Sequence, residues 1–325
     1  MNLHSKLLLW GQNRIEKGAW FLAPFSVLWG FVSFWKNLFY DCRWLKIHKV
    51  DCPVISVGNL VAGGTGKTPL VQLLSSRFSH LRVAIISRGY GKILDEPLLL
   101  QRRLQQAKVY VGKDRVKLAN QAVNDGADLI ILDDGFQHRK LHRDFDLVLL
   151  AGSDLFGKGH YLPWGFLRDS PKRLKSADAI FVSGKSDFSL PHIELGTHVD
   201  RILNVQGARI DSIQGLDVAI FCGISKPKLF KKTVLQLGAN VVSEWVLADH
   251  EKAFYKPLRE FALSAKDFGA KALLCTEKDM VKLDPSMELP LPIYYLEISL
   301  QVEGGNLLWE NLIAKIDQKI DTYKL

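Results

Sequence analysis

Val54-Ile-Ser-Val-Gly-Asn-Leu-Val-Ala-Gly-Gly-Thr-Gly-Lys-Thr68 reads as an apolar strand, a glycine-rich turn and the opening of a helix, with Pro69 suited to that helix's first turn. This is the strand, loop and helix context that a P-loop requires. Gly63, Gly64, Thr65 and Gly66 bring backbone N–H groups toward phosphate oxygens, Lys67 reaches the outer phosphates, and the Thr68 hydroxyl offers a ligand to Mg²⁺. The strict pattern G-x-x-x-x-G-K-[ST] asks for glycine where this chain has Val61, and Gly63 and Gly64 are expected to supply the turn instead.

Downstream, Leu129-Ile-Ile-Leu-Asp-Asp134 is an apolar strand ending in two carboxylates. Alone, Asp133 and Asp134 would read as a turn or a helix cap. Following a P-loop, they stand where an acid that holds the nucleotide's metal is needed.

Around these two motifs, short apolar runs alternate with helix-length amphipathic stretches. That pattern marks an α/β fold, a P-loop NTPase-like parallel sheet domain with helices on both faces. Strands are predicted at 54–57, 83–87, 109–111, 129–132, 147–151 and 179–183. The polar stretch Gly184 to Asp200, with Pro191 and Gly196, leads to a boundary. Strands at 218–222, 272–276 and 293–296 then form a second, smaller α/β domain. The expected division is a helical segment over 1–45, the P-loop domain over 46–200 and the smaller domain over 201–325.

The first fifty residues have a composition of their own. They hold seven basic and two acidic residues, so five of the chain's nine net positive charges, and five of its eight tryptophans. From Gly18 to Trp35 nothing is charged, and Lys17 and Lys36 bracket eighteen positions rich in Trp, Phe and Leu. Eighteen is near the lower limit for a bilayer span. Pro24 favours a kink or break near its start. A helix here would carry Phe21, Phe25, Leu28, Val32, Trp35 and Phe39 on one stripe. The favoured reading is a membrane-interfacial helix, with a true span and a helix buried against the domain as alternatives. A secretory signal is disfavoured, since no small-residue cleavage site follows. Cys42, Cys52, Cys222 and Cys275 are scattered and lack His partners at zinc spacing, so neither a disulfide framework nor a structural metal is indicated. Outside the N-terminal segment the charge is only mildly positive, which argues against a nucleic-acid role.

Further strings follow predicted strands, where ligands bind in open α/β sheets. They are Ser87-Arg-Gly-Tyr-Gly91, Asp95-Glu-Pro-Leu-Leu99, Val111-Gly-Lys-Asp-Arg115, Leu132-Asp-Asp-Gly-Phe-Gln-His138, Leu162-Pro through Leu167-Arg168, Phe221-Cys-Gly-Ile224, Asp249-His250 and Thr276-Glu-Lys-Asp279. Together with the P-loop, and in this order, they resemble the tetraacyldisaccharide 4′-kinases of lipid A biosynthesis. The resemblance implies two α/β domains, ATP and Mg²⁺, a lipid A precursor disaccharide as acceptor, and a place on the cytoplasmic face of the inner membrane, with no obligate protein partner. By motif, Gly63 to Thr68 bind ATP, and Thr68, Asp133, Asp134 and Asp169 are candidate metal ligands. Arg115, Gln137, His138 and Arg168 contact phosphate or substrate. Asp95 is the base near the sugar hydroxyl, His250 its partner, and Lys67 also counts as catalytic.

Three departures from the family pattern stand out. The loop before Asp95 is short, Arg168-Asp169-Ser170 replaces Arg-Glu-Pro, and Glu251 stands where a second histidine is usual. The rival reading is a membrane-associated P-loop ATPase switch with no small-molecule acceptor.

Overall fold

The structure, a computed structural model, describes residues 20–89, 95–248, 251–284 and 286–324, with the side chain of Asp95 outside that set. The chain divides into two compact units. Among the described residues, the first is formed by 20–89, 100–197 and 300–324, and the second by 95–99, 198–248, 251–284 and 286–299.

In the first unit, strands β1 (Val54–Gly58), β2 (Val83–Ser87), β3 (Lys108–Val111), β4 (Leu129–Asp133), β5 (Phe145–Ala151), β6 (Ala179–Ser183) and the start of β7 (Ile193–Asn204) lie in the order β7-β6-β5-β1-β4-β2-β3. Their pairings are parallel. Every residue of β1, β2 and β4 is buried, as expected for a parallel sheet covered on both faces. Side-chain alternation explains the two covers. Ile55, Val57, Ile85 and Ile131 share a core with Leu70, Val71 and Leu74 of the P-loop helix, while Val54, Ala84, Ile86, Ile130 and Leu132 share another with Val116, Ala119 and Ala122.

The first α-helices of this unit are α1 (Ala23–Asp41), α2 (Lys67–Arg77), the end of α3 (Asp95–Arg103) and α4 (Arg115–Asn124). Pro24 sits in the first turn of α1, where its missing N–H is harmless, so the expected break at Pro24 takes the form of a helix start.

The second unit carries β8 (Arg209–Ile210), β9 (Asp217–Cys222), α5 (Pro227–Gln236), β10 (Asn240–Val246), α6 (Tyr255–Asp267), β11 (Ala272–Thr276), the short α7 (Glu277–Met280) and most of β12 (Ile293–Gly304). Its parallel strands run β10-β9-β11-β12. Phe230 and Val234 cover one face, and Leu258, Ala262 and Ala265 the other.

The division differs from the expected one at the C-terminus. Helix α8 (Asn306–Lys324) places Trp309, Leu312, Ile313, Ile316 and Ile320 in the core of the P-loop unit, so 300–325 belong there and not with the smaller unit. All four cysteines are free, three of them buried; burial, with Asp279 adding to it, pushes the Cys222 thiol up to about 12.

Candidate functional site

The P-loop joins β1 to α2 at the carboxyl end of the sheet. Gly63 and Gly66 have φ of 108° and 95°, a left-handed backbone that glycine adopts without steric penalty. No side chain caps α2, whereas α4 is capped by Asp114 accepting from Lys117 N at 3.1 Å. An uncapped helix start behind a glycine turn is a ready anion site. Val61 needs no left-handed backbone and is buried among Phe136, Val148 and Leu167. It bridges to Leu167, while Ala62 N donates to Phe166 O at 2.7 Å and Arg168 N to Leu60 O at 2.8 Å. The loop is thus stitched to the segment 166–168.

Beside it, β4 presents its two carboxylates. Asp133 is buried at the end of β4, level with Val57 of β1, and its Oδ2 accepts from Ser87 Oγ at 3.2 Å. Asp134 is left-handed at φ 54°, a conformation that Asp tolerates better than most residues. Its carboxylate accepts from Arg168 at 3.0 and 2.9 Å and lies 3.4 Å from Lys67 Nζ, and its carbonyl accepts from Arg115 at 2.8 Å. Three cationic side chains therefore meet at one residue next to the anion loop. The approach depends on two glycines, since a Cβ at Gly58 would stand 2.4 Å from Phe136 Cβ and one at Gly135 2.7 Å from Ser56 Oγ.

Gln137 and His138 complete the loop. Gln137 donates to Asn59 O at 2.7 Å, and Asn59 Nδ2 donates to Thr65 Oγ1 at 3.0 Å, so one buried asparagine ties the P-loop to the Asp-Asp-Gly-Phe-Gln turn. Burial first, then the charges of Arg115 and Arg143, lower the His138 pKa to about 4, which keeps the ring neutral near pH 7.

Asp169 is buried, with both carboxylate oxygens accepting from protein donors. Its Oδ1 accepts from Ser33 Oγ at 3.1 Å, Asn37 Nδ2 at 2.8 Å and Ser170 N at 2.8 Å, and its Oδ2 accepts from Arg173 at 2.6 Å. Arg173 also stacks over the Phe136 ring at 4.2 Å. Of the candidate metal ligands, Thr68 and Asp133 are buried and offer a hydroxyl and a carboxylate, hard oxygens of the kind Mg²⁺ takes in ones and twos beside phosphate and water.

In the smaller unit, Asp95 opens α3, and Glu96 Oε1 accepts from Lys278 Nζ at 2.8 Å. Asp279 is buried, accepting from Gly223 N at 2.9 Å and Thr276 Oγ1 at 2.6 Å. Asp249, His250, Tyr90, Gly91 and the Asp95 side chain lie outside the described residues. Sequence reasoning passed over the roles of Asn59, Ser87 and Arg173. Asn59 and Ser87 were inside quoted motifs, and the i,i+4 spacing of Asp169 and Arg173 was a visible clue.

The chain is similar to known proteins of one family. The family model described as Tetraacyldisaccharide-1-P 4′-kinase matches residues 18–317. A protein of Chlamydia abortus named Tetraacyldisaccharide 4′-kinase is 35% identical over 308 residues, covering 83% of this chain and 84% of that protein. One of the same name from Syntrophus aciditrophicus is 34% identical, covering 88% and 90%. The crystal structure of LpxK from Aquifex aeolicus in complex with ATP superposes with a TM-score of 0.74 at 30% identity, covering 91% of this chain and 98% of that one.

Proposed function

The chain belongs to the Tetraacyldisaccharide-1-P 4′-kinase family, and from that premise we propose that it transfers the γ-phosphoryl group of ATP to the 4′-hydroxyl of a tetraacyl glucosamine disaccharide 1-phosphate in lipid A biosynthesis. The observation that carries this reading is the convergence of Lys67, Arg168 and Arg115 on Asp134 beside the uncapped start of α2.

Phosphoryl transfer passes through a loose transition state, so positioning and charge neutralisation do most of the work. The backbone of 63–66 and Lys67 hold the phosphates, with Lys67 exchanging its contact to Asp134 for a phosphate oxygen, and Arg168 keeping Asp134 in place. Thr68 and Asp133 would hold Mg²⁺, which would supply further positive charge against the phosphate oxygens. Gln137 and His138 border the acceptor. An ordinary carboxylate, with a pKa near 4, cannot ionise a sugar hydroxyl beforehand, but Asp95 can accept its proton as the new O–P bond forms, with His250 orienting it.

The acceptor is a lipid, and α1 suits a membrane surface. Phe25, Val27, Leu28, Phe31, Val32 and Phe34 are each more than half exposed on it, and basic residues abound in its segment. Among the described residues no helix is long and apolar enough to cross a membrane. We place α1 in the plane of the interface, on the cytoplasmic face of the inner membrane.

The test is purified protein with γ-labelled ATP, with and without the 1-phosphorylated tetraacyl disaccharide. Label should appear on the 4′ position of the lipid, and only with it. Label released as inorganic phosphate at the same rate without lipid would favour the ATPase switch.

A further inference from the structure

Helix α1 has an inward face as distinctive as its outward one. Ala23, Ser26, Gly30, Ser33 and Asn37 follow one another at helical spacing and turn toward the domain. At Gly30 there is no room for a side chain, since a Cβ would come within 2.9 Å of the Tyr161 ring. What this face makes are directional hydrogen bonds. Trp29 Nε1 donates to Arg168 O at 3.1 Å, Lys36 Nζ to Gln137 O at 3.0 Å, and Ser33 and Asn37 to the Asp169 carboxylate. Arg139 returns a bond to Asn37 O at 3.0 Å.

The targets are the residues that shape the phosphate site. Arg168 grips Asp134 through its guanidinium and the P-loop through its N–H, and Gln137 grips the P-loop through Asn59. An anchor alone needs no such contacts. A flexible tether or an apolar patch would hold a catalytic domain near a bilayer equally well. Hydrogen bonds to a buried carboxylate and to main-chain oxygens fix position to within tenths of an ångström, and a displacement of about 1 Å is enough to cost a phosphoryl-transfer site much of its rate.

We propose that Asn37, Ser33 and Trp29 are positioning residues for phosphoryl transfer: they hold the Arg168–Asp169 turn, and through Arg168 they hold Asp134, so that the seating of the membrane-facing helix sets kcat as well as access to lipid. Asp169 is the docking acid of this arrangement, with both oxygens engaged, and the metal is left to Asp133 and Thr68. The inference rests on the kinase reading, and it makes the interfacial helix part of the catalytic scaffold.

The experiment measures kcat and KM with the lipid acceptor in detergent micelles, where reaching a bilayer plays no part. Asn37→Ala should lower kcat about tenfold or more with less than a twofold change in KM for ATP. Asn37→Asp should be slower still, because its carboxylate would face Asp169, and adding Asp169→Asn to it, which exchanges amide and carboxylate, should recover part of the loss. Trp29→Phe, which keeps the ring and removes the donor, should lower kcat in the same direction. It also serves if the Asn37 variants fail to fold. In each folded variant, hydrogen exchange of the Arg168 and Asp169 amides should quicken. Wild-type kcat in micelles with altered KM on vesicles alone, or unchanged exchange at 168–169, would make α1 an anchor only and overturn the proposal. Absence of transfer by the wild-type protein would instead overturn the kinase reading.

Discussion

Lys67 rests with its ammonium 3.4 Å from Asp134, both side chains largely shielded from solvent, and in the proposed reaction it exchanges that contact for a phosphate oxygen. Removing it leaves the Asp134 carboxylate with Arg168 and takes a cation from the place where transition-state charge develops. Lys67→Ala should lower kcat/KM by at least about 10²-fold, roughly 3 kcal/mol, with the fold intact by circular dichroism. A folded variant with near-normal transfer would remove this loop from the chemistry. His138 poses a different question, one of stability. Its buried Nε2 has no hydrogen-bond partner among the described residues, and desolvation, ahead of Arg115 and Arg143, depresses its pKa from 6.5 to about 4. Between those values the unfolded chain binds a proton that the native protein refuses, so stability rises with pH there. The contribution is complete above about pH 6.5 and is lost as the pH falls toward 4. The urea midpoint should drop from pH 7 to pH 5, and His138→Gln should flatten part of that drop. An identical pH dependence in the variant would count against a neutral buried ring.

At the scale of elements, the parts buried on both faces were the legible ones. Residues 83–87, 179–183 and 272–276 are strands with the bounds that their apolar runs predict. Asn240-Val-Val-Ser-Glu-Trp-Val246 was not read, because at the sheet's margin burial alternates and polar residues interrupt the run. Strand β7 lay hidden in the polar stretch taken for a boundary, since Glu194, Thr197, Asp200 and Arg201 show no apolar run. The site divides the same way. The P-loop and Asp133-Asp134 are contiguous strings whose chemistry can be read locally, whereas Asn37 and Asp169 are 132 residues apart and nothing near either one announces the pair. Helix α8 could not be assigned to the P-loop unit from the sequence, because its place in the chain follows the smaller unit. That assignment is testable. Ile316 is fully buried in the same core as Leu70, Leu74 and Ile131, so Ile316→Ala should destabilise by about 2–5 kcal/mol. The loss should be seen in a nucleotide-protected unfolding transition. If ATP no longer shifts the transition that Ile316→Ala lowers, α8 stabilises some other part of the chain.

At the scale of the whole molecule, exposed large apolar side chains are densest, among the described residues, between Trp20 and Ile47. Trp20, Phe25, Val27, Leu28, Phe31, Val32, Phe34 and Trp44 are all exposed, in a segment that also holds five of the nine net positive charges. Water alone would not stabilise such a surface, and contiguous apolar patches of this kind mark interaction sites. The inward stripe of α1 is committed to the domain by hydrogen bonds, so the helix cannot roll its apolar side inward without breaking them. Nineteen residues of helix extend about 28 Å, and lying flat they offer that length to the boundary between headgroups and acyl chains. Two forces then add. Burial of each large side chain contributes up to about 1.5–3 kcal/mol, and each basic residue near an anionic surface up to about 1 kcal/mol, the second part alone weakening with salt. The protein should therefore float with anionic vesicles at low salt and only in part at high salt. The triple variant Phe25→Ser, Leu28→Ser, Phe31→Ser, all on the outward side and outside the hydrogen bonds to Gln137, Arg168 and Asp169, should lose flotation at high salt first. It should raise KM for lipid in vesicles at least tenfold, while KM for ATP stays within twofold of the parent. A wild-type protein that fails to float under any salt condition, or a triple variant that floats unchanged, would mean that the exposed face of α1 meets something other than a bilayer.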